Sequence, residues 1–354
     1  MIMKKILICA IVALSSLFFA CSKNDDAKDL TKDEATSQIQ ATNANLKKEI
    51  AEIQSNKGVV AMMALTNLGE IGIFPSPVAQ LVTAEGLMEA VSSRSNPFKS
   101  VVKSAEGGFG FNSKKGKYTY TNGEFVRDNS VTDRIVILFP SNGKTVNNSE
   151  LTITSFEEQF SELEEDYIPI KIEAELKVDN ATVLKISYKS VLGNLASQGL
   201  EAIGVASFDL SILLAPYAIE SHQSLSISNT GYATKDNSFI RNNSKMLLST
   251  GRDLAVTVNK STGAATFKGN SFFQVSNLKL SGSISYSGTP DTESGFSYVL
   301  NKINLSLYKY PEGNKVGTIL LEEGAVPMIA YNDGTRAPLE NIFSELIKGL
   351  VPQE

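Results

Sequence analysis

From Ile170 to Val178 the sequence Ile-Lys-Ile-Glu-Ala-Glu-Leu-Lys-Val alternates strictly between apolar and charged residues, and Ile168-Pro169 precede it. Successive side chains of a β-strand point to opposite faces, so this segment predicts a strand with one apolar and one solvated face. Asp179-Asn180 predicts a turn, and Val183 to Tyr188 predicts a second strand. The fold therefore contains an antiparallel meander with one wet face.

Strand and hairpin patterns extend in both directions from this pair, beginning at about residue 108. Asn122-Gly123 is the strongest short hairpin signal in the chain, and Arg134 to Phe139 has the pattern of a buried strand. Further strands are predicted over 117–121, 124–126, 151–154, 205–214, 224–228, 245–248, 254–258, 264–267, 272–286, 298–310, 316–321 and 326–331. Several runs exceed the usual five or six residues, which favours a large curved sheet or a half-barrel.

Helices are predicted at both ends of this β region. Thr31-Lys32-Asp33-Glu34 has the form of a capping box and begins an amphipathic helix that continues through Ile53. Gly58 to Leu68 and Val78 to Val91 predict two more helices, and the Met62-Met63 pair in the first is interpreted as core. Pro338 is placed in the first turn of a C-terminal helix, whose apolar residues through Leu350 fall at helical spacing. We expect that helix to dock on the sheet.

The fold class is therefore predicted to be α+β. A helical region over 31–105 is followed by an antiparallel β block over 106–192, and by a second β block with the C-terminal helix over 193–354. The segment 193–199 is the preferred boundary if the β blocks are separate domains. A single domain of this length is equally compatible with a β-rich architecture.

The N-terminus has three zones. Lys4 and Lys5 are positive, Ile6 to Ala20 is an uncharged and mostly apolar run, and Ser22 to Asp26 is abruptly polar. This order predicts a secretory signal peptide over 1–20 and a tether over 21–30. The alternative is a transmembrane helix, but the run has 15 residues, whereas a spanning helix needs roughly 20.

Leu17-Phe18-Phe19-Ala20-Cys21 resembles the lipobox of bacterial lipoproteins of the Bacteroidota type. The resemblance implies cleavage before Cys21 and acylation of that cysteine, and two or more acyl chains make membrane anchoring stable. Ser22-Lys23-Asn24-Asp25-Asp26 is similar to the acidic tag that directs such lipoproteins to the outer face of the outer membrane. An ordinary solvated tether is the alternative, which leaves the periplasmic face open.

Composition excludes several chemistries. The chain has two cysteines, of which Cys9 leaves with the signal and Cys21 is consumed by lipid, so the mature chain has no thiol for a disulfide, nucleophile or metal. His222 is the only histidine, which excludes a zinc site built on several imidazoles, and no G-x-S-x-G motif accompanies it. The net charge is −5, and loss of Lys4 and Lys5 with the signal peptide makes it more negative. This charge argues against nucleic-acid binding. No cofactor is expected.

An acidic run and the single histidine are the candidate sites in the sequence. The densest acidic run comprises Glu157, Glu158, Glu162, Glu164, Glu165 and Asp166. A calcium site or a carboxylate pair for glycoside cleavage would be its functional interpretation, but no calcium-loop spacing is present and paired catalytic carboxylates must come from separate places in the fold. A solvated loop or edge guard is therefore the preferred interpretation. His222 is interpreted as a surface residue on a strand. No catalytic residue is therefore assigned.

Residues 97–190 resemble, in architecture alone, the half-closed barrels of periplasmic lipoprotein and lipid carriers. Such a sheet offers an apolar concave cavity, although the helices can instead fill it as core, and that interpretation is favoured. We expect a non-enzymatic envelope lipoprotein that binds a hydrophobic ligand or a partner protein. The alternative is a surface glycan-binding component of a polysaccharide uptake system, for which the absence of Trp leaves eleven tyrosines as platforms. An enzyme is the third hypothesis.

Overall fold

The two antiparallel strands predicted on either side of Asp179-Asn180 are present in the structure. In the computed structural model, β5 (Asp166–Val178) and β6 (Ala181–Val191) are antiparallel, with Ala174 opposite Ile186. Asp179 and Asn180 turn the chain with φ of 50° and 65°. Two consecutive positive φ values define the hairpin turn whose twist matches that of its strands. Asn122-Gly123, with φ of 54° and 92°, makes the same turn between the first two strands.

The structure describes residues 29–68, 108–161, 166–193, 203–259, 261–262, 264–291, 295–320 and 328–338. Strand is the dominant structure in them. The other strands are β1 (Gly116–Thr121), β2 (Glu124–Asp128), β3 (Ile135–Phe139), β4 (Ser149–Ser161), β7 (Gly204–Leu214), β8 (Tyr217–Ser228), β9 (Gly231–Asn242), β10 (Lys245–Val258), β11 (Ala265–Val275), β12 (Leu278–Asp291), β13 (Gly295–Lys309), β14 (Lys315–Leu320), β15 (Met328–Ala330) and β16 (Arg336–Pro338). The helices are α1 (Lys32–Gln54), α2 (Lys57–Asn67) and α3 (Phe111–Lys114).

The chain divides into two compact units. Unit 1 takes the residues within Met1–Lys48, Gln223–Phe239 and Lys245–Glu354, and unit 2 those within Glu49–His222 and Ile240–Ser244. In unit 2 the strand order is β8-β7-β6-β5-β4-β3-β1-β2, and in unit 1 it is β16-β15-β14-β13-β12-β11-β10-β9-β8. The strands β8 and β9 contribute residues to both units.

The capping box at the start of α1 is confirmed. The Thr31 amide donates to Glu34 Oε2 at 2.8 Å, and the Glu34 amide donates to Thr31 Oγ1 at 3.4 Å. These reciprocal bonds satisfy two amides that have no partner within the helix. One side of α1 is buried at a regular helical spacing, through Ala35, Ile39, Thr42, Leu46, Glu49 and Ile53.

In unit 2 the helix α2 lies against the apolar face of β5 and β6. Asn56 caps its N-terminus, with Oδ1 accepting from the Gly58 amide at 2.8 Å, and the helix buries Val59, Met62 and Leu65. A Cβ on Gly58 would come within 2.7 Å of Leu214 Cδ1, so glycine permits the close approach. The predicted helix over 58–68 is confirmed, and it is core.

In unit 1 the part of α1 up to Lys48 is hydrogen-bonded to residues at the turns of the strands. Thr42 Oγ1 lies 3.0 Å from Asn277 Oδ1, and Lys245 Nζ donates to Asn45 Oδ1 at 2.9 Å. The chain before the helix joins the same unit, since the Leu30 amide donates to the Lys315 carbonyl at 2.9 Å. The strands β10 to β13 have a buried apolar face. Its residues are Leu248, Val275, Leu278, Leu280, Leu305 and Leu307.

Several boundaries differ from the prediction. The run 272–286 is a hairpin of β11 and β12 instead of one strand, because Ser276 adopts φ of 51° and turns the chain. The runs 245–248 and 254–258 are one strand, β10, and β9 and β16 were not predicted. The strands β1 and β3 pair in parallel, an exception to the antiparallel prediction.

Pro338 ends β16, where it is paired with Met328, instead of beginning a helix. The predicted helices over 78–91 and 339–350 lie outside the described residues, as do the signal peptide, Cys21 and most of the tether.

Candidate functional site

The strands β10 to β13 of unit 1 have two faces of opposite character. One is the apolar face described above. On the other, Asp253, Asn270, Ser283 and Asn304 lie in register across the four strands. Ala255, Lys268 and Ser285 form the next row of β10 to β12. We call this surface the polar face. Every second residue of each strand points to this face, and in β12 these residues include the serines at 281, 283, 285 and 287.

A groove of about 410 Å³ crosses β10, β11 and β12 on the polar face. Pockets that hold small ligands have volumes of roughly 300–1,000 Å³, so the groove is large enough for one or two sugar-sized groups. The side chains that line it are those of Asp253, Ala255, Lys268, Asn270, Ser283 and Ser285.

Four of these polar side chains make no hydrogen bond or ion pair within the part of the chain that the structure describes. They are Lys268, Asn270, Ser283 and Ser285. Asp253 differs, because its Oδ2 lies 3.7 Å from Lys235 Nζ of β9. The groove therefore presents an ammonium, an amide and two hydroxyls whose hydrogen-bonding capacity is open to a ligand.

Aromatic side chains continue the polar face beyond the groove. Phe272 is two residues from Asn270 along β11, so their Cα atoms are about 7 Å apart and their side chains share a face. Lys279 Nζ lies 4.5 Å from the ring centroid of Phe272 and 5.4 Å from that of Tyr310. Tyr308 is paired with Lys279 in the ladder, and Tyr310 is 40% exposed. Cation–π contacts of this kind hold the lysine over the rings.

An ion pair on the opposite side of β9 and β10 fixes their alignment. Arg252 Nε lies 2.5 Å from Asp236 Oδ1, and both side chains are 16% exposed. Removing one partner of such a pair leaves an uncompensated charge away from water, which costs about 3–5 kcal/mol. Residues adjacent to this pair, Lys235 and Asp253, consequently face the polar side.

His222 and the described residues of the acidic run do not line the groove. His222 is half-exposed in unit 2, with Nδ1 at 2.8 Å from Asp209 Oδ1 and Nε2 at 3.7 Å from Glu220 Oε2. Its interpretation as a surface histidine on a strand is confirmed. Glu157 is exposed and lies 3.4 Å from Lys171 Nζ. Glu158 instead accepts a hydrogen bond from the Phe109 amide at 2.8 Å.

Glu162, Glu164, Glu165 and the side chain of Asp166 lie outside the described residues. Within the described ranges, no group of three histidine, cysteine or carboxylate side chains could hold a metal ion.

Unit 2 contains a buried polar cluster around Tyr217, which is 2% exposed. Its hydroxyl donates toward Glu49 Oε2 at 3.3 Å and Glu52 Oε2 at 3.2 Å, and Asn242 Nδ2 donates to Glu49 Oε2 at 3.0 Å. Burial raises the pKa of Tyr217 well above its usual range, and the two carboxylates add to this effect. The cluster joins α1 to the strands of unit 2 and is structural.

Sequence reasoning missed the groove. The serine alternation in β12 was visible but was absorbed into a single long strand over 272–286. Comparisons of the chain with protein-family models, with curated proteins and with solved structures find no match. Of the described helices, none has the length and apolar character needed to cross a membrane.

Proposed function

We propose that this chain is an envelope lipoprotein, acylated at Cys21, that binds a glycan in the groove on the polar face without cleaving it. The observation that carries the proposal is the set of unpartnered polar side chains in one groove, Lys268, Asn270, Ser283 and Ser285. Sugars present many hydroxyls that both donate and accept, and amide, hydroxyl and ammonium groups can match them.

The shape of the surface supports the same class of ligand. The groove is shallow enough to admit a chain that lies across the strands. Phe272 lies one row beyond Asn270 on the same face, and Lys279 connects its ring to that of Tyr310 further along the surface. Aromatic rings offer sugars an apolar contact beside the polar groups that orient them. The absence of Trp from the chain does not remove this contact, since Tyr310 is exposed.

The number of carboxylates in the groove favours a binding function over hydrolysis. Glycoside cleavage generally uses two carboxyl groups, about 5–9.5 Å apart, on either side of the scissile bond. Among the described residues that line the groove, Asp253 supplies a single carboxylate, and Lys235 lies 3.7 Å from it. We therefore propose a binding protein and not an enzyme.

The location is proposed from the N-terminal sequence. Lys4, Lys5, the apolar run to Ala20 and Cys21 favour export and lipid attachment, and the polar tag from Ser22 favours the outer surface of the outer membrane. A groove facing outward there would capture a polysaccharide for an uptake system, and no nucleic-acid partner is proposed.

The test is an oligosaccharide microarray probed with the full lipidated chain extracted in mild detergent. We expect binding to a defined set of glycans, a loss of at least tenfold in affinity for the Asn270→Ala/Ser285→Ala variant, and no change for Ser211→Ala. Ser211 is an exposed serine on β7 of unit 2 and serves as the matched control. Binding that survives in the groove variant would contradict the proposed site.

A hydrophobic ligand or a protein partner is the second candidate. Val191, Val205 and Leu213, on β6 and β7 of unit 2, are 48%, 58% and 42% exposed, which supports an apolar contact surface. An enclosed cavity for a lipid carrier has less support, because α2 lies on the apolar face of β5 and β6. Native mass spectrometry of the purified chain distinguishes the candidates, since a carrier retains lipid in addition to its anchor.

A further inference from the structure

We infer that the groove on the polar face selects an anionic glycan, one whose sugars carry a carboxylate or a sulfate, and that Lys268 is the residue that pairs with it. This inference rests on the proposed function and names the ligand class for the same groove.

The first step is the charge balance of the groove. Asp253 is the one carboxylate among its described lining residues, and the ammonium of Lys235 lies 3.7 Å from it. Lys268 also lines the groove, and it makes no ion pair or hydrogen bond with any residue that the structure describes. The two lysines and one aspartate therefore leave one positive charge without a counterion in a chain whose net charge is −5.

The second step is the surroundings of Lys268. In the ladder it lies between Ala255 and Ser285, which carry no charge. The carboxylate of the groove, Asp253, is one row away on β10 and is paired with Lys235 at 3.7 Å. Asn270 is two residues further along β11 on the same face, and Ser283 is opposite it. A carboxylate or sulfate bound to Lys268 has further oxygens to satisfy, and the Asn270 amide and the two serine hydroxyls are donors within the same groove.

The third step is the comparison of ligands. A neutral sugar can bond to the amide and the hydroxyls, but it leaves the charge of Lys268 without a partner. A hydrogen bond between charged groups is about twice as strong as one between neutral groups. We therefore expect an anionic oligosaccharide to bind about two- to fivefold more tightly than its neutral counterpart, with an advantage that shrinks as salt is added.

The experiment compares three oligosaccharides of equal length and linkage, namely a uronate, the corresponding neutral sugar and a sulfated form. Affinities are measured by titration calorimetry with the full chain in detergent at low and high salt. The variants are Lys268→Gln, which removes the charge, and Lys268→Arg, which keeps it. Lys185→Gln is the control, because Lys185 is exposed on β6 in unit 2.

We expect the wild type and Lys185→Gln to prefer an anionic ligand by about two- to fivefold at low salt, and Lys268→Gln to bind all three ligands alike. Lys268→Arg should retain the preference. Equal binding of neutral and anionic sugars by the wild type, or an unchanged preference in Lys268→Gln, would overturn the inference but leave the glycan-binding proposal standing. Failure to bind any of the glycans, here and on the microarray, would overturn the proposed function itself.

Discussion

Replacement of Met62 by alanine should destabilise unit 2 far more than replacement of its neighbour Met63. The two methionines are adjacent in α2, but Met62 is 1% exposed and Met63 is 52% exposed. The pair therefore compares a buried and an exposed side chain of the same type within one helix, and the effect of each substitution on helix propensity is the same.

The magnitude follows from burial. Truncation of a buried methionine to alanine removes apolar contacts and leaves a cavity, which costs about 2–5 kcal/mol. Truncation of the exposed one changes stability by about 0.5 kcal/mol or less. With a urea dependence of about 1–3 kcal/mol per molar, a loss of 3 kcal/mol lowers the midpoint by about 1 M or more.

The assay is urea unfolding followed by far-ultraviolet circular dichroism and by tyrosine fluorescence, because the chain has no Trp and eleven Tyr. The Met62→Ala midpoint should fall, and the Met63→Ala midpoint should match the wild type. Equal midpoints for the two variants would refute the placement of α2 on the sheet. If the helix packed on nothing, both methionines would be exposed and both substitutions would have the same effect.

Three other outcomes are expected, two from named contacts and one from the N-terminal sequence. Asn56→Ala should lower the free energy of unfolding by about 1–2 kcal/mol in the same assay, because Asn56 caps α2 and its Nδ2 also donates to the Ala215 carbonyl at 2.8 Å; an unchanged midpoint would show that the cap is not formed. Tyr217 has a raised pKa in the folded state, so its contribution to stability is present below pH 10 and is lost as pH rises above about 10, the unfolded value. The stability of Tyr217→Phe should therefore fall less steeply above pH 10 than that of the wild type, and identical slopes would contradict the assignment. Cys21→Ser should leave the chain without acyl mass and release it from membranes into the aqueous phase of a detergent partition, whereas retention in the detergent phase would contradict anchoring at Cys21.

The turns and the alternating strands of unit 2 could be predicted because their signals are local. Asn122-Gly123 and Asp179-Asn180 occupy the positive-φ positions that hairpin turns require, and few residue types tolerate those positions. The alternation from Ile170 to Val178 reports a strand with one buried and one solvated face. Each of these features depends on residues within a few positions of one another.

The strand β9 escaped prediction because its pattern is set by a partner far along the chain. Asp236 is nearly buried although it is charged, since Arg252 of β10 lies against it at 2.5 Å. Prediction from sequence expects a charged residue to be exposed, and therefore places a residue such as Asp236 in a loop. The turn at Ser276 was missed for a related reason, because serine at positive φ is uncommon and neither glycine nor proline marks the turn.

The groove could not be predicted because it exists only when three strands are aligned. Asp253, Asn270 and Ser283 are separated by 17 and 13 residues, and their proximity depends on the exact register of two hairpins. A shift of one residue in either hairpin would move the polar set to the other face. The alternating serines of β12 were the one local sign that a face of this sheet is polar.

The most direct measurement of the binding site is the rate at which single lysines react with an amine-specific reagent, with and without a saturating anionic oligosaccharide, read by mass spectrometry of the peptides. Lys268 is exposed in the groove, and Lys185 is exposed on β6 of unit 2. A bound glycan should protect Lys268 and leave Lys185 unchanged. Equal reactivity of Lys268 in the free and the bound protein, at a concentration where binding is complete, would contradict the assignment of the groove as the ligand site.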